Sequence, residues 1–217
     1  MKDIMLVGSG GCMRELVWQI QELNKENKTW YILGYVDKES PKAGAEVKVG
    51  NQRIEYLGDD DFLIHRSVDT NVAVCVGDPV LREKIVNKLK VNPKIHFPNV
   101  ILGNTQICQD VSMGEGCIIS MDCRISTNVR LGDFVFLNIG SMICHDGMLG
   151  DFVTLSPDVK IAGNVQVGSG SDIGLGTKVI QGIRIGEHVV TGAGSVVVRN
   201  IESSCTVVGV PAGKIRG

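Results

Sequence analysis

The sequence has no stripe of basic charge, no paired cysteine motif and no apolar run of membrane-spanning length, and each absence removes a class of function. Its 22 Lys and Arg face 24 Asp and Glu, and the signs are interspersed along the chain. A nucleic-acid partner needs a basic face to neutralise phosphates, so none is expected. The chain opens with Met1-Lys2-Asp3 and only four apolar residues before Gly8, too short for a secretory core, and no membrane association is expected. A soluble, cytoplasmic protein is the expectation. Seven cysteines are present, an odd number with no C-x-x-C pair, which points to reduced thiols instead of a disulfide or metal framework.

What is present is a repeat. Stepping six residues at a time from Ile101 gives Ile107, Met113, Ile119 and so on to Val197, and sixteen of the seventeen positions are aliphatic or Met, the exception being Thr191. The next residue is usually small, as at Gly114, Ser126, Gly150 and Gly168. A second apolar or small position lies four residues after each anchor, as at Val129, Val135, Val153 and Ser171. Neither a period of two nor one of 3.6 survives so many steps. Each six-residue unit supplies a short strand and a turn, three units make a triangular coil, and stacked coils pair in parallel around an aliphatic axis. The stretch from Ile101 to Val197 holds about five such coils at 18 residues each. Cys108, Cys117, Cys123 and Cys144 are expected to point inward as small hydrophobes.

The first ninety residues have a different grammar, so two domains are expected, 1–92 and 93–217, the second including a C-terminal tail. Ile4 to Val7 is a short apolar run, Gly8-Ser9-Gly10-Gly11 a glycine turn, and Met13, Leu16, Val17, Ile20 and Leu23 recur at helical spacing. Tyr31 to Val36 and Val72 to Val76 read as further strands, ending at Asp37 and Gly77-Asp78. Asp78-Pro79 then starts a helix with an apolar face of Leu81, Ile85 and Leu89. This is a small Rossmann-like α/β domain whose ligand belongs at the strand C-termini, near Gly10, Asp37 and Asp78. The third glycine of a dinucleotide fingerprint falls on Met13, which disfavours nicotinamide chemistry, whereas free N–H groups at a helix start suit a phosphate.

Of the four histidines, His145 stands out. It takes the third place of its unit, at a turn, and Asp146 follows it as a partner able to orient an imidazole or raise its basicity. An imidazole titrates near neutrality and suits removal of a proton from an amine or hydroxyl attacking a thioester. Asn138, seven residues earlier, is expected near the corresponding corner of the same coil. His188, in the fourth place of its unit, reads as a solvated turn residue.

The strings GSGGCMRE, GYVD, VGDPVLREKI, LNIGSMICHDGMLGDFV and VVGVPAGKIRG together resemble the sialic-acid O-acetyltransferase and UDP-4-amino-sugar N-acetyltransferase family of hexapeptide-repeat enzymes, over nearly the whole chain. The resemblance implies a left-handed parallel β-helix and a homotrimer with active sites between subunits. It also implies acetyl-CoA as co-substrate and direct transfer to a nucleotide-linked amino sugar in bacterial surface-glycan synthesis. In these terms His145 is the general base, Asp146 tunes it and Asn138 lies near the acceptor. Acetyl-CoA touches Thr154, Gly163, Leu175 and Ala193, with the tail near its adenine end. The sugar nucleotide is held by Gly10, Gly11, Cys12, Asp37, Lys38, Gly77 and Asp78. The chain departs from the family pattern at Cys12 and Met13, where G-x-G-G-H-G is common, at Lys38, where a second Asp is common, and at Thr154, where a histidine is common.

Two readings of other kinds stand beside this one. A metal-dependent hydratase on the same coil needs three histidine ligands, and the repeat region holds only His145 and His188, so no metal is expected. A non-catalytic scaffold is the alternative of another class, because fold does not imply function. Within the transferases, N-acetylation of an amino sugar competes with O-acetylation of a sialic-acid or other sugar hydroxyl.

Overall fold

The computed structural model describes residues 1–38 and 47–216. The chain divides into two compact units, Met1–Gly77 with Leu81–Pro98, and Asp78–Val80 with Asn99–Gly217.

The first unit is built on β1 (Lys2–Val7), whose Ile4, Met5, Leu6 and Val7 are all buried. Successive strand residues point to opposite faces, so a run of four requires cover on both sides, the signature of a parallel sheet. Helix α1 (Gly11–Glu26) buries Met13, Leu16, Val17 and Ile20 at helical spacing. Then follow β2 (Trp30–Val36), β3 (Val47–Val49), β4 (Gln52–Ile54), β5 (Tyr56–Gly58), α2 (Asp60–Ile64), β6 (Thr70–Val74), α3 (Pro79–Leu89) and β7 (Ile95–His96). One parallel sheet has the order β5-β2-β1-β6-β7, and β3 pairs antiparallel with β4. Strand order reverses between β1 and β6, and sheets of this kind open a crevice outside the strand ends at such a point.

Helix α3 starts at Pro79 as expected, but its buried face is different. Arg82, Val86 and Leu89 are buried, while Leu81 is 50% exposed. The cause is a buried guanidinium: Arg82 Nη1 donates to the carbonyls of Val76 (2.8 Å) and Gly77 (2.9 Å), which turns Leu81 away from the core.

The second unit is a left-handed parallel β-helix. Strands of two residues pair with strands 18 residues on, so that Ile101, Ile119, Leu137, Leu155, Ile173 and Thr191 form one column. Three faces result. The first runs from Val100–Ile101 to the Thr206–Val208 strand and its Gly213–Arg216 partner, the second from Gln106–Ile107 to Val196–Val197, and the third from Ser112–Met113 to Arg184–Ile185, in sheets of eight, six and five strands. Anchors and the positions four residues later fill the axis, and Leu137, Ile143, Val153, Leu155, Val159 and Ile161 are fully buried. Ile101 is 40% exposed because it begins its column. Thr191, the polar anchor, is satisfied within the axis: its hydroxyl lies 3.0 Å from that of Thr177 and accepts from Gly174 N at 2.9 Å.

Two of the four inward cysteines are correctly placed and two are not. Cys117 and Cys123 are buried on the axis, whereas Cys108 is exposed and Cys144 half-buried. The latter two directly follow an anchor, and alternation along a strand turns the residue after an inward one away from the axis. All seven cysteines are free thiols. The corners need left-handed backbone, which Asn128, Asp146, Asp158, Asn164 and His188 supply at φ of 53°, 60°, 60°, 55° and 51°, Asn and Asp being the side chains that tolerate it best. Among the described residues no helix is long and apolar enough to cross a membrane, and no group of three or more His, Cys, Asp or Glu could hold a metal.

Truncating an axial anchor tests this packing. Leu155→Ala is expected to cost about 2–5 kcal/mol by cavity formation, read from chemical denaturation; a loss under about 1 kcal/mol contradicts a close-packed axis.

Candidate active site

His145 lies in the corner between the second-face strand Met142–Ile143 and the third-face strand Met148–Leu149. Its Nδ1 is 2.8 Å from Asp146 Oδ2, with both side chains about half exposed at 51% and 48%. Asp146 also accepts from Asn128 Nδ2 at 2.7 Å. These two hydrogen bonds, that from His145 first, hold the Asp146 carboxyl below its ordinary range, so it is ionised at neutral pH. An ionised carboxylate only accepts, which assigns the proton to Nδ1 and leaves the Nε2 lone pair free on the neutral ring.

The ring is seated by the next coil. A Cβ on Gly163, 18 residues after His145, would come within 2.4 Å of the imidazole Cε1 and Nε2, so only glycine leaves room for the imidazole. The His145 carbonyl in turn accepts from Asn164 N at 2.8 Å. Neither Asn128 nor the support from Gly163 came out of the sequence reading, although the period of 18 was the signal for both.

The other expected residues of this unit fall elsewhere. Asn138 lies in the corner before Met142–Ile143, not in that of His145, and its side-chain oxygen accepts from Ile139 N at 2.8 Å. Leu175 and Ala193 share Asn138's edge in later coils, both exposed, with Gly194 N donating to Leu175 O at 2.7 Å. The expected set thus splits over two edges of one prism, Asn138, Leu175 and Ala193 on one, His145, Asp146 and Gly163 on the other. Thr154 is only 4% exposed in a first-face strand, which leaves a ligand little to touch. His188 is exposed in its corner over Gly170.

In the first unit a cavity of about 570 Å³ opens at the β1/β6 switch point. Gly10, Gly11, Cys12, Asp37, Lys38 and Gly77 all line it; Asp78 does not. Gly10 caps α1 without a side-chain bond, so the first N–H groups of the helix face the cavity with the positive end of the dipole, a place for phosphate. Asp37 follows β2 and offers a carboxylate. Sequence reasoning missed Asp60, Leu81 and Ile85, which also line the cavity. The turn of α3 imposed by Arg82 makes the last two an apolar wall instead of core. Burial pushes the Cys12 thiol up to about 12, against a smaller opposing pull from Arg82 and a small push from Glu15, so this wall presents a neutral thiol.

Residues 3–89 match the family described as PglD N-terminal domain. The acetyltransferase domain of PglB from Neisseria gonorrhoeae, in complex with acetyl coenzyme A, superposes with a TM-score of 0.85 at 25% identity, covering 98% of each chain. A histidine variant of perosamine N-acetyltransferase from Caulobacter crescentus, in complex with CoA and GDP-perosamine, gives 0.85 at 26% over 100% of this chain and 98% of its own. PerB from the same organism, with the same two ligands, gives 0.83 at 28% over 99% and 98%. The chain is an acyltransferase, similar over its whole length to these acetyltransferases. No curated protein matches the chain significantly. The neutral imidazole with a free Nε2 can accept a proton, and Gly163 leaves the room in which it sits.

One substitution and one labelling rate test the geometry described. Gly163→Ala should lower kcat by about tenfold or more through displacement of the imidazole, with the circular-dichroism spectrum unchanged; wild-type turnover contradicts the seating. Cys12, with its raised thiol, should react with iodoacetamide at pH 8 more than about ten times slower than free cysteine, as followed by peptide mass spectrometry; equal rates contradict its burial.

Proposed function

We propose that the chain N-acetylates a nucleotide-linked amino sugar, with acetyl-CoA as donor and His145 as general base. The observation that carries this reading is the His145–Asp146 pair, with Nδ1 tied to an ionised carboxylate and Nε2 free. The amine nitrogen attacks the thioester carbonyl carbon while Nε2 takes the amine proton; the tetrahedral adduct collapses, the C–S bond breaks, and the imidazolium returns the proton to the CoA thiolate. The nucleotide diphosphate belongs at the α1 N-terminus, with Gly10, Gly11, Cys12, Asp37, Lys38 and Gly77 around it. This is supported by the relatives' complexes with CoA and GDP-perosamine.

The split of Gly163 from Leu175 and Ala193 over two edges supports a homotrimer. If acetyl-CoA touches both sets, the edge of one copy must meet the other edge of the next, and cyclic closure of such a heterologous contact makes a ring. The seven free thiols accord with a reducing, cytoplasmic setting, and the proposed reaction would serve bacterial surface-glycan synthesis.

CoA thiol release against a panel of UDP-, GDP- and dTDP-linked amino sugars, with sialic acid and its CMP conjugate alongside, tests the acceptor. Release with an amino sugar is expected; release only with hydroxyl acceptors replaces N-acetylation by O-acetylation, and silence with every acceptor overturns the reading. His145→Ala should lose about two to four orders of magnitude in turnover and keep acetyl-CoA binding; unchanged turnover removes His145 from the mechanism.

A further inference from the structure

We infer that Asn128 is a positioning residue for the catalytic pair, fixing the Asp146 carboxylate from the preceding coil so that Oδ2 meets His145 Nδ1. The inference rests on the general-base reading of His145. Asp146 is half exposed and could rotate about its terminal torsion; a carboxylate held by one hydrogen bond keeps that freedom, whereas one gripped at both oxygens has its plane set. Asn128 Nδ2 binds Oδ1 at 2.7 Å and His145 Nδ1 binds Oδ2 at 2.8 Å. Because the carboxylate only accepts, the Asn128 amide must present its NH2 group, and the carboxamide oxygen faces away.

Asn128 is itself held. Asp110, one coil earlier, accepts from Thr127 Oγ1 at 2.5 Å, from the Cys108 thiol and from the Asn128 backbone N–H, and these bonds keep its carboxyl below the ordinary range. Hydrogen bonds over three successive coils therefore link Asp110 to Thr127 and the Asn128 backbone, and the Asn128 side chain to Asp146 and His145. The charged groups acting on Asp146 are His145, which favours its ionised form, and Asp110, which opposes it weakly. A neutral amide between the two carboxylates holds the nearer one without adding to that repulsion.

A bland role competes with this. Asn128 sits at φ 53°, where asparagine is favoured for backbone reasons alone. Glycine adopts the same conformation freely, so Asn128→Gly keeps the corner and removes only the amide. Asn128→Asp keeps the shape and replaces the donor by a charge.

The test measures pH–rate profiles, kcat and KM for both substrates and melting temperature for both variants, with His145→Ala in parallel. Expected for Asn128→Gly is a fall in kcat of about tenfold, with both KM values and the melting temperature near wild type. Expected for Asn128→Asp is an acid limb displaced upward by about half a pH unit or more, because added negative charge stabilises the imidazolium. A residue that serves only the backbone leaves kcat unmoved in the glycine variant. Wild-type kcat in Asn128→Gly and an unmoved limb in Asn128→Asp, with His145→Ala inactive, overturn the role of Asn128 alone. An active His145→Ala overturns the base and this inference with it.

Discussion

Everything in the second unit depends on one constraint, that an aliphatic anchor every sixth residue must bury itself on a common axis. With three anchors per coil, the backbone returns to the same face after 18 residues, and parallel pairing of Ile119 with Leu137 and of Leu137 with Leu155 locks that return. A slip of one residue would turn Leu137 and Val135 out of the axis and admit polar neighbours, so register is strongly specified. Once register is set, residues 18 apart become neighbours without any further instruction. Asn128 meets Asp146 and Gly163 meets His145 for this reason, although each pair is distant along the chain.

The corner backbone shows how structure and chemistry share positions. Left-handed φ values favour Asn, Asp and Gly, and Asp146 is one residue among many that satisfy that demand. Its chemistry comes from its neighbours, His145 beside it and Asn128 beneath, which together hold its carboxyl ionised. Asp158 has the same backbone and a lysine partner, Lys160 at 2.8 Å, and carries no imidazole. Identical local geometry thus holds a lysine in one coil and an imidazole in another.

In the first unit the controlling residue is Arg82. A buried guanidinium would be costly without partners, and the carbonyls of Val76 and Gly77 accept from it at the end of β6. The geometry it imposes rotates α3, exposes Leu81 and shapes the wall of the cavity. Sequence periodicity read Leu81 as core because Leu81, Ile85 and Leu89 have helical spacing, and no pattern of apolar residues could reveal that an arginine had taken the buried face.

By itself the sequence determined the axial repeat, the change of grammar ahead of it, the strand, glycine turn and helix at the N-terminus, and the pairing of His145 with Asp146. These are readable because period, turn chemistry and adjacency are properties of neighbouring residues. Which cysteines face inward, which edge Asn138 occupies, which face of α3 is buried and that Asn128 and Gly163 support the imidazole were decided only by tertiary structure. Each depends on the direction of a side chain or on contact between coils, and the one-dimensional pattern carries the spacing of those contacts but not their geometry.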